Sequence, residues 1–162
     1  MRIEQLMHKS VGTVTADQTL NEAAQILWER DCGSVPVLSE DGSRRVVGML
    51  TDRDICMAAY TQGRDLHELP VRGAMSSTVH SCRPGDTVED AEAILRRAQV
   101  RRLPVVDEAD QLVGIVSLSD LACAAAGCRG QKKPAIDELE IAETLASICR
   151  PREAGAPVTA AI

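Results

Sequence analysis

The chain has 162 residues, a formal net charge of −6 and a pI near 5.1, a size that predicts one domain with a sizeable core. The acidic balance excludes a chain-wide nucleic-acid footprint, and no stretch reaches the roughly 18 apolar residues that cross a bilayer. The opening MRIEQLMHKS scatters charges among its apolar residues and lacks a signal-peptide core, so a cytoplasmic location is expected, with neither nucleic acid nor membrane as a partner.

Val11 to Val14 is a short apolar alternation that predicts a strand. Thr19-x-x-Glu22 is a capping box that starts a helix, whose apolar face runs through Ala23, Ala24, Ile26 and Leu27 and which Gly33 is expected to end. Val35 to Leu38 predicts a strand with Pro36 at its start or edge, Glu40-Asp41-Gly42 a turn, Val46 to Leu50 a second strand, and Thr51 to about Tyr60 a helix. Residues 62–73 read as a polar linker with one apolar staple, Leu69-Pro70-Val71.

The pattern then returns: strand 79–82, helix 87–98, strand 103–106, turn 107–110, strand 112–116 and helix 117–126, ended by Gly127 and Gly130. VVGMLTDRDI at 46–55 answers LVGIVSLSDL at 112–121. The offset is 68 from Met7/Met75 to Pro36/Pro104 and 66 from Gly48/Gly114 to Asp54/Asp120, so the first copy holds two extra residues, most simply around Ser43-Arg44. Two copies of about 55 residues would be marginal alone and are read as halves of one unit. Beyond them Ile136, Leu139, Ala142, Leu145 and Ile148 predict an amphipathic helix within 134–150, followed by a disordered tail over 151–162.

Six cysteines, at 32, 56, 82, 123, 128 and 149, contain no CxxC pair, and none of His8, His67 or His80 joins a cysteine at metal-ligand spacing. Packing thiols are expected, with no metal and no cofactor; a zinc or redox site is the alternative. Aromatic residues are Trp28 and Tyr60 alone, so a bound base would rest on aliphatic walls and backbone.

The repeated unit resembles the cystathionine β-synthase (CBS) domain, and the pair resembles a Bateman module, over roughly residues 5–126. The resemblance rests on Leu103-Pro104-Val105-Val106-Asp107 and on the Gly-h-h-Thr/Ser-x-x-Asp element at Gly48 to Asp54 and Gly114 to Asp120. It implies an α/β fold of tandem β-α-β-β-α repeats forming a pseudo-two-fold pair. Repeat 1 would cover 5–61, the linker 62–73 and repeat 2 74–126. An adenine nucleotide or related adenosyl ligand (AMP, ADP, ATP or S-adenosylmethionine) would bind between the repeats, and the module would be a homodimer regulating a separate, unidentified protein.

Thr51 and Ser117 sit where a strand hands over to a helix, and a helix N-terminus offers unpaired N–H groups to a phosphate. Asp54 and Asp120, one turn on, are acceptors suited to a ribose cis-diol. The resemblance assigns those roles: carboxylate on ribose, hydroxyl residue near phosphate. The same four residues also read as two helix caps without a ligand. Arg102, and next Arg101, precede the second Pro-Val strand at positions where some family members contact phosphate; the alternative is a solvated basic patch. Thr13, Val14, Ser81 and Cys82 match family positions beside the base, with core packing the competing role for the valine. No nucleophile–base pair, metal cluster or Gly-rich phosphate loop is visible, so no catalytic residue is assigned. The competing function is a structural dimerisation or protein-interaction module without a ligand.

Overall fold

The computed structural model describes residues 1–127 and 136–151, and the disordered tail expected from 151 onward falls, apart from Pro151, outside the described residues. The first copy consists of β1 (Val14–Thr15), α1 (Leu20–Glu29), β2 (Ser34–Leu38), β3 (Val46–Thr51) and α2 (Asp52–Gln62). The second consists of α3 (Val88–Ala98), β4 (Arg102–Val106), β5 (Leu112–Ser117) and α4 (Leu118–Ala125), and α5 (Glu138–Cys149) follows. The strand expected at 79–82 is reduced to one bridge, Cys82 to Val105. Only Cys82 pairs there, donating to the Pro104 carbonyl and accepting from Val106 N–H, because the turn around Pro84 follows at once.

The two hairpins share one register. Val37 pairs with Gly48 and Leu38 with Val46, as Val105 pairs with Gly114 and Val106 with Leu112, so each hairpin carries a bulge at the same place. β1 pairs with β2 only at Val37 and Leu38, which leaves Pro36 where β2 is still an edge and its missing N–H is harmless.

Each helix starts as its sequence dictates. Thr19 with Glu22, Thr51 with Asp54, Thr87 with Asp90 and Ser117 with Asp120 all form complete capping boxes. The Thr19 and Thr87 hydrogen bonds hold the Glu22 and Asp90 carboxyls below their ordinary range. The end of α1 differs from expectation. Asp31, not Gly33, takes the left-handed conformation (φ 47°), and Gln99 does the same after α3 (φ 51°). Cys32 N–H then bonds the Leu27 carbonyl and Val100 N–H the Leu95 carbonyl, the wide bond of a Schellman motif.

The chain divides into two units, each with its own apolar core, so the single core expected from length is two. Residues 11–79 form one unit; residues 1–10 join the chain from His80 onward to form the other. The segment that opens each copy therefore packs in the unit of the other. In the first unit Val71 is fully buried and Leu69 nearly so, and their backbones bond Gln18 just ahead of α1 and Leu20, its first residue. Ser76 bridges Met49 there, as His8 bridges Ile115 in the second unit. Those approaches explain two glycines: a Cβ on Gly48 would lie 2.9 Å from the Ser76 carbonyl, and one on Gly114 3.0 Å from that of His8. Leu27 and Leu95 are buried, whereas Ile26 and Ile94 are half-buried.

α5 packs across α3 and α4. It buries Ile141, Thr144 and Ile148 and turns Leu139 and Leu145 to solvent. The stripe expected at 139, 142 and 145 fails because steps of three drift about 60° each around a helix with 3.6 residues per turn.

Candidate functional site

The two strand-to-helix junctions have the same geometry. At the first, Thr51 N–H and Oγ1–H donate to Asp54 Oδ2 at 2.9 and 2.7 Å, and Asp54 N–H donates back to Thr51 Oγ1 at 3.1 Å. At the second, the corresponding distances for Ser117 and Asp120 are 2.9, 2.6 and 3.3 Å. Each carboxylate thus spends one oxygen on its cap and directs the other elsewhere. Asp54 Oδ1 makes no hydrogen bond among the described residues, whereas Asp120 Oδ1 lies 2.7 Å from His8 Nε2. His8 has Ser76 as its counterpart in the first unit, which explains why only one junction has this contact.

Hairpin register sets what stands beside each hydroxyl. Arg102 pairs with Ser117 and Ser34 with Thr51, and residues directly opposite across a ladder share a sheet face. Arg102 is half-buried and Arg101 exposed, and the Arg101 carbonyl accepts from Leu118 N–H at the start of α4. Ser34 is 6 % exposed, yet its hydroxyl has no hydrogen-bond partner. Buried hydroxyls are nearly always satisfied, so this is a polar atom awaiting a partner at the first junction. The helix starts also differ in charge: α2 opens on exposed Asp52 where α4 opens on Leu118. The second junction is therefore the more favourable for an anion, with an Arg beside it and one acid fewer. Arg53 is exposed and makes no ion pair among the described residues.

The residues expected to flank a base divide by strand alternation. Val14 (2 % exposed) and Cys82 (3 %) point into their cores, while Thr13 and Ser81 are half-exposed. Burial, with a smaller contribution from Asp86, pushes the Cys82 thiol up to about 12, so it behaves as an apolar core group. Thr13 thus joins the unit of Thr51, Asp54 and Ser34, and Ser81 the unit of Ser117, Asp120, Arg101, Arg102 and His8. Sequence reasoning passed over Ser34 and His8. Ser34 shares a repeat position with Arg102 and was findable by aligning the copies; His8 meets Asp120 from 112 residues away and left no local signal. No group of three or more metal-ligating side chains occurs among the described residues, and none of their helices is long and apolar enough to cross a membrane.

Tandem helix–hairpin–helix units, each with a hydroxyl–carboxylate pair at the last strand-to-helix junction, define a paired α/β repeat module. The CBS domain family matches residues 3–60 and 71–127, and the chain belongs to that family as a tandem pair. It is 42% identical over 120 residues to the CBS domain-containing protein YhcV of Bacillus subtilis, covering 74% of this chain and 82% of that one. The crystal structure of Hypoxic Response Protein I, with two coordinated zinc ions, aligns at a TM-score of 0.67 and 31% identity, over 75% of this chain and 97% of that one; Hypoxic response protein 1 is from Mycobacterium tuberculosis. The CBS domain pair of protein MJ0100, solved with 5-methylthioadenosine and S-adenosyl-L-methionine, shares the fold at a TM-score of 0.70 and 23% identity, over 79% and 98% of the two chains.

Proposed function

We propose that this protein is a non-catalytic sensor that takes an adenine nucleotide or related adenosyl ligand at its strand-to-helix junctions and regulates a separate protein as a cytoplasmic homodimer. The observation that carries the reading is the first junction, where the buried Ser34 hydroxyl lacks a partner and Asp54 keeps one carboxylate oxygen for a ligand. Asp54 and Asp120 take ribose hydroxyls, the N–H groups at the starts of α2 and α4 face phosphate or its substitute, and Arg102, with Arg101 behind it, favours a charged ligand in the second repeat through its planar fork. Thr13 and Ser81 stand beside the base, with Val14 and Cys82 offering backbone rather than side chain. The adenosyl ligands of the MJ0100 pair support this class of ligand. AMP, ADP, ATP and S-adenosylmethionine are the candidates.

The second reading, an interaction module without a ligand, draws on the complete capping boxes, which account for both aspartates without one. Thermal melts with each candidate separate the two, since a ligand at about 100 times its Kd stabilises by ~2.7 kcal/mol. Asp120→Ala is expected to cost about 1.5–3 kcal/mol of binding, one to two decades in affinity. Arg102→Ala is expected to weaken AMP more than adenosine. Absence of any shift, or Asp54→Ala and Asp120→Ala proteins that both melt lower with unchanged affinity, refutes the sensor.

A further inference from the structure

The two strand-to-helix junctions differ most at the N–H groups that an anion would use. The first N–H groups of an α-helix have no partner within it. At the start of α2 each of them is taken. Thr51 N–H donates to Asp54 Oδ2, Asp52 N–H to the Gly33 carbonyl, Arg53 N–H to Asp52 Oδ1 at 2.7 Å, and Asp54 N–H to Thr51 Oγ1. At the start of α4 the same positions carry Ser117, Leu118, Ser119 and Asp120. There Ser117, Leu118 and Asp120 find acceptors, but the N–H of exposed Ser119 finds none among the described residues. Asp52 is thus an anion supplied by the chain itself, held on the donor that the second junction leaves open.

The strands opposite repeat the contrast. Ser34 faces Thr51 across its ladder, where Arg102 faces Ser117. A phosphate entering the first junction meets a carboxylate on the donor it needs, and a neutral hydroxyl where the second junction has a guanidinium. Arg53 offsets the charge of Asp52 but is exposed on the helix, and it does not free the N–H that Asp52 holds. An uncharged ligand loses nothing by these changes. Ser34, 6% exposed and with its hydroxyl unpartnered, can donate to such a ligand or accept from it. Among the described residues only Oδ2 of Asp54 is engaged, which leaves Oδ1 for a ribose hydroxyl.

We propose that the two junctions take different ligands. The first takes a nucleoside whose 5′ substituent carries no negative charge, selected by Ser34 and Asp52; the second takes a nucleotide bearing a phosphate. This rests on the adenosyl-ligand reading above and assigns a ligand class to each junction. AMP and adenosine then bind together rather than compete, and the protein responds to two ligands rather than to the level of one.

The test is titration calorimetry of the full chain with adenosine and AMP, each alone and each with the other at saturation. A single AMP site per chain is expected, with adenosine still binding the AMP-saturated protein. Asp54→Ala should abolish that adenosine binding and spare AMP, and Asp120→Ala should do the reverse. Asp52→Ala, at an exposed position, frees the Arg53 N–H. It is expected to tighten AMP at the first junction by about tenfold or more, the scale of a hydrogen bond to a charged group, so that AMP then displaces adenosine. Ser34→Ala should weaken adenosine by about fivefold without lowering the Tm of the ligand-free protein, since its hydroxyl has no partner to lose. AMP that displaces adenosine from the wild type, or an Asp52→Ala protein whose AMP binding is unchanged, overturns the selectivity and keeps the sensor. Binding of neither ligand overturns both.

Discussion

Replacing Glu92 by glutamine isolates what a buried carboxyl does to the seat of α5. The side chain is fully buried. Its Oε1 accepts from Thr144, Arg96 lies 3.7 Å from Oε2, and Oε2 itself makes no hydrogen bond. Desolvation is the largest influence and pushes its pKa up; Arg96 opposes the rise, and the carboxylates of Glu140 and Glu89 add to it. An acid whose pKa rises on folding holds its proton more tightly in the folded chain. Its favourable contribution is full below the unfolded value of about 4.3 and is lost as pH climbs through the raised folded value.

At neutral pH the glutamine keeps a carbonyl for Thr144 and removes the charge. A raised pKa means that burial costs the ionised carboxyl more than Arg96 returns to it, and the gain from removing that charge falls within the ~0.5–3 kcal/mol span of single substitutions. Arg96 is 36% exposed and keeps part of its hydration, so the lower end, about 1 kcal/mol, is expected. That corresponds to a Tm higher by ~4–8 °C for a unit of 60–100 residues. Thermal unfolding of Glu92→Gln and wild type from about pH 4.5 to about pH 9 should show curves that nearly meet at the acid end and separate as pH rises. A glutamine variant that is less stable at neutral pH, with a pH profile parallel to wild type, would refute the reasoning and make the carboxylate a required partner of Arg96.

His8→Ala removes the imidazole hydrogen bond to Asp120 Oδ1; if that oxygen takes a ribose hydroxyl as proposed, titration calorimetry should show nucleotide binding tighter by up to about tenfold, the ~0.5–1.5 kcal/mol of one hydrogen bond, and weaker binding would make His8 a ligand contact instead. Gly114→Ala places a Cβ 2.8 Å from Met7 Sδ and 3.0 Å from the His8 carbonyl, and denaturant titration should register a loss of about 1–3 kcal/mol. Cys82, its thiol raised to about 12, should resist iodoacetamide at about pH 8 while exposed Cys56 and Cys149 are alkylated; label on Cys82 in folded protein would contradict its place in the core.

What was legible in the sequence was local. Thr19-x-x-Glu22, Thr51-x-x-Asp54, Thr87-x-x-Asp90 and Ser117-x-x-Asp120 announce four helix starts because the partners in a cap are three residues apart, and all four form. The repetition of those caps with Pro36 and Pro104 carried the family. Contacts set at long range were not legible. Glu92 reads as an ordinary surface acid until α5, some fifty residues on, covers it. The exchange of opening segments, with Met7 against Gly114 and Met75 against Gly48, leaves no trace in any short window. Asp31 taking the left-handed turn shows the limit of residue preference, since an acceptable αL residue two positions ahead of Gly33 was enough to end the helix.

The bridge from His8 to Ile115 imposes an order of events on a ribosome. Residues 11–79 contain everything their own core requires and can condense while the rest of the chain is still being made. Ile3 and Glu4 can meet the Asp86 and Pro84 carbonyls earlier, but His8 cannot find its place until β5 has emerged more than a hundred residues later, and the loop it then closes is among the longest the chain offers. Closing it is inexpensive in equilibrium terms, because loop entropy grows only logarithmically with length, but it is late. Until then the opening segment, with Ile3, Leu6 and Met7 uncovered, is the part of the nascent chain most open to capture by a chaperone or to mispairing with another copy.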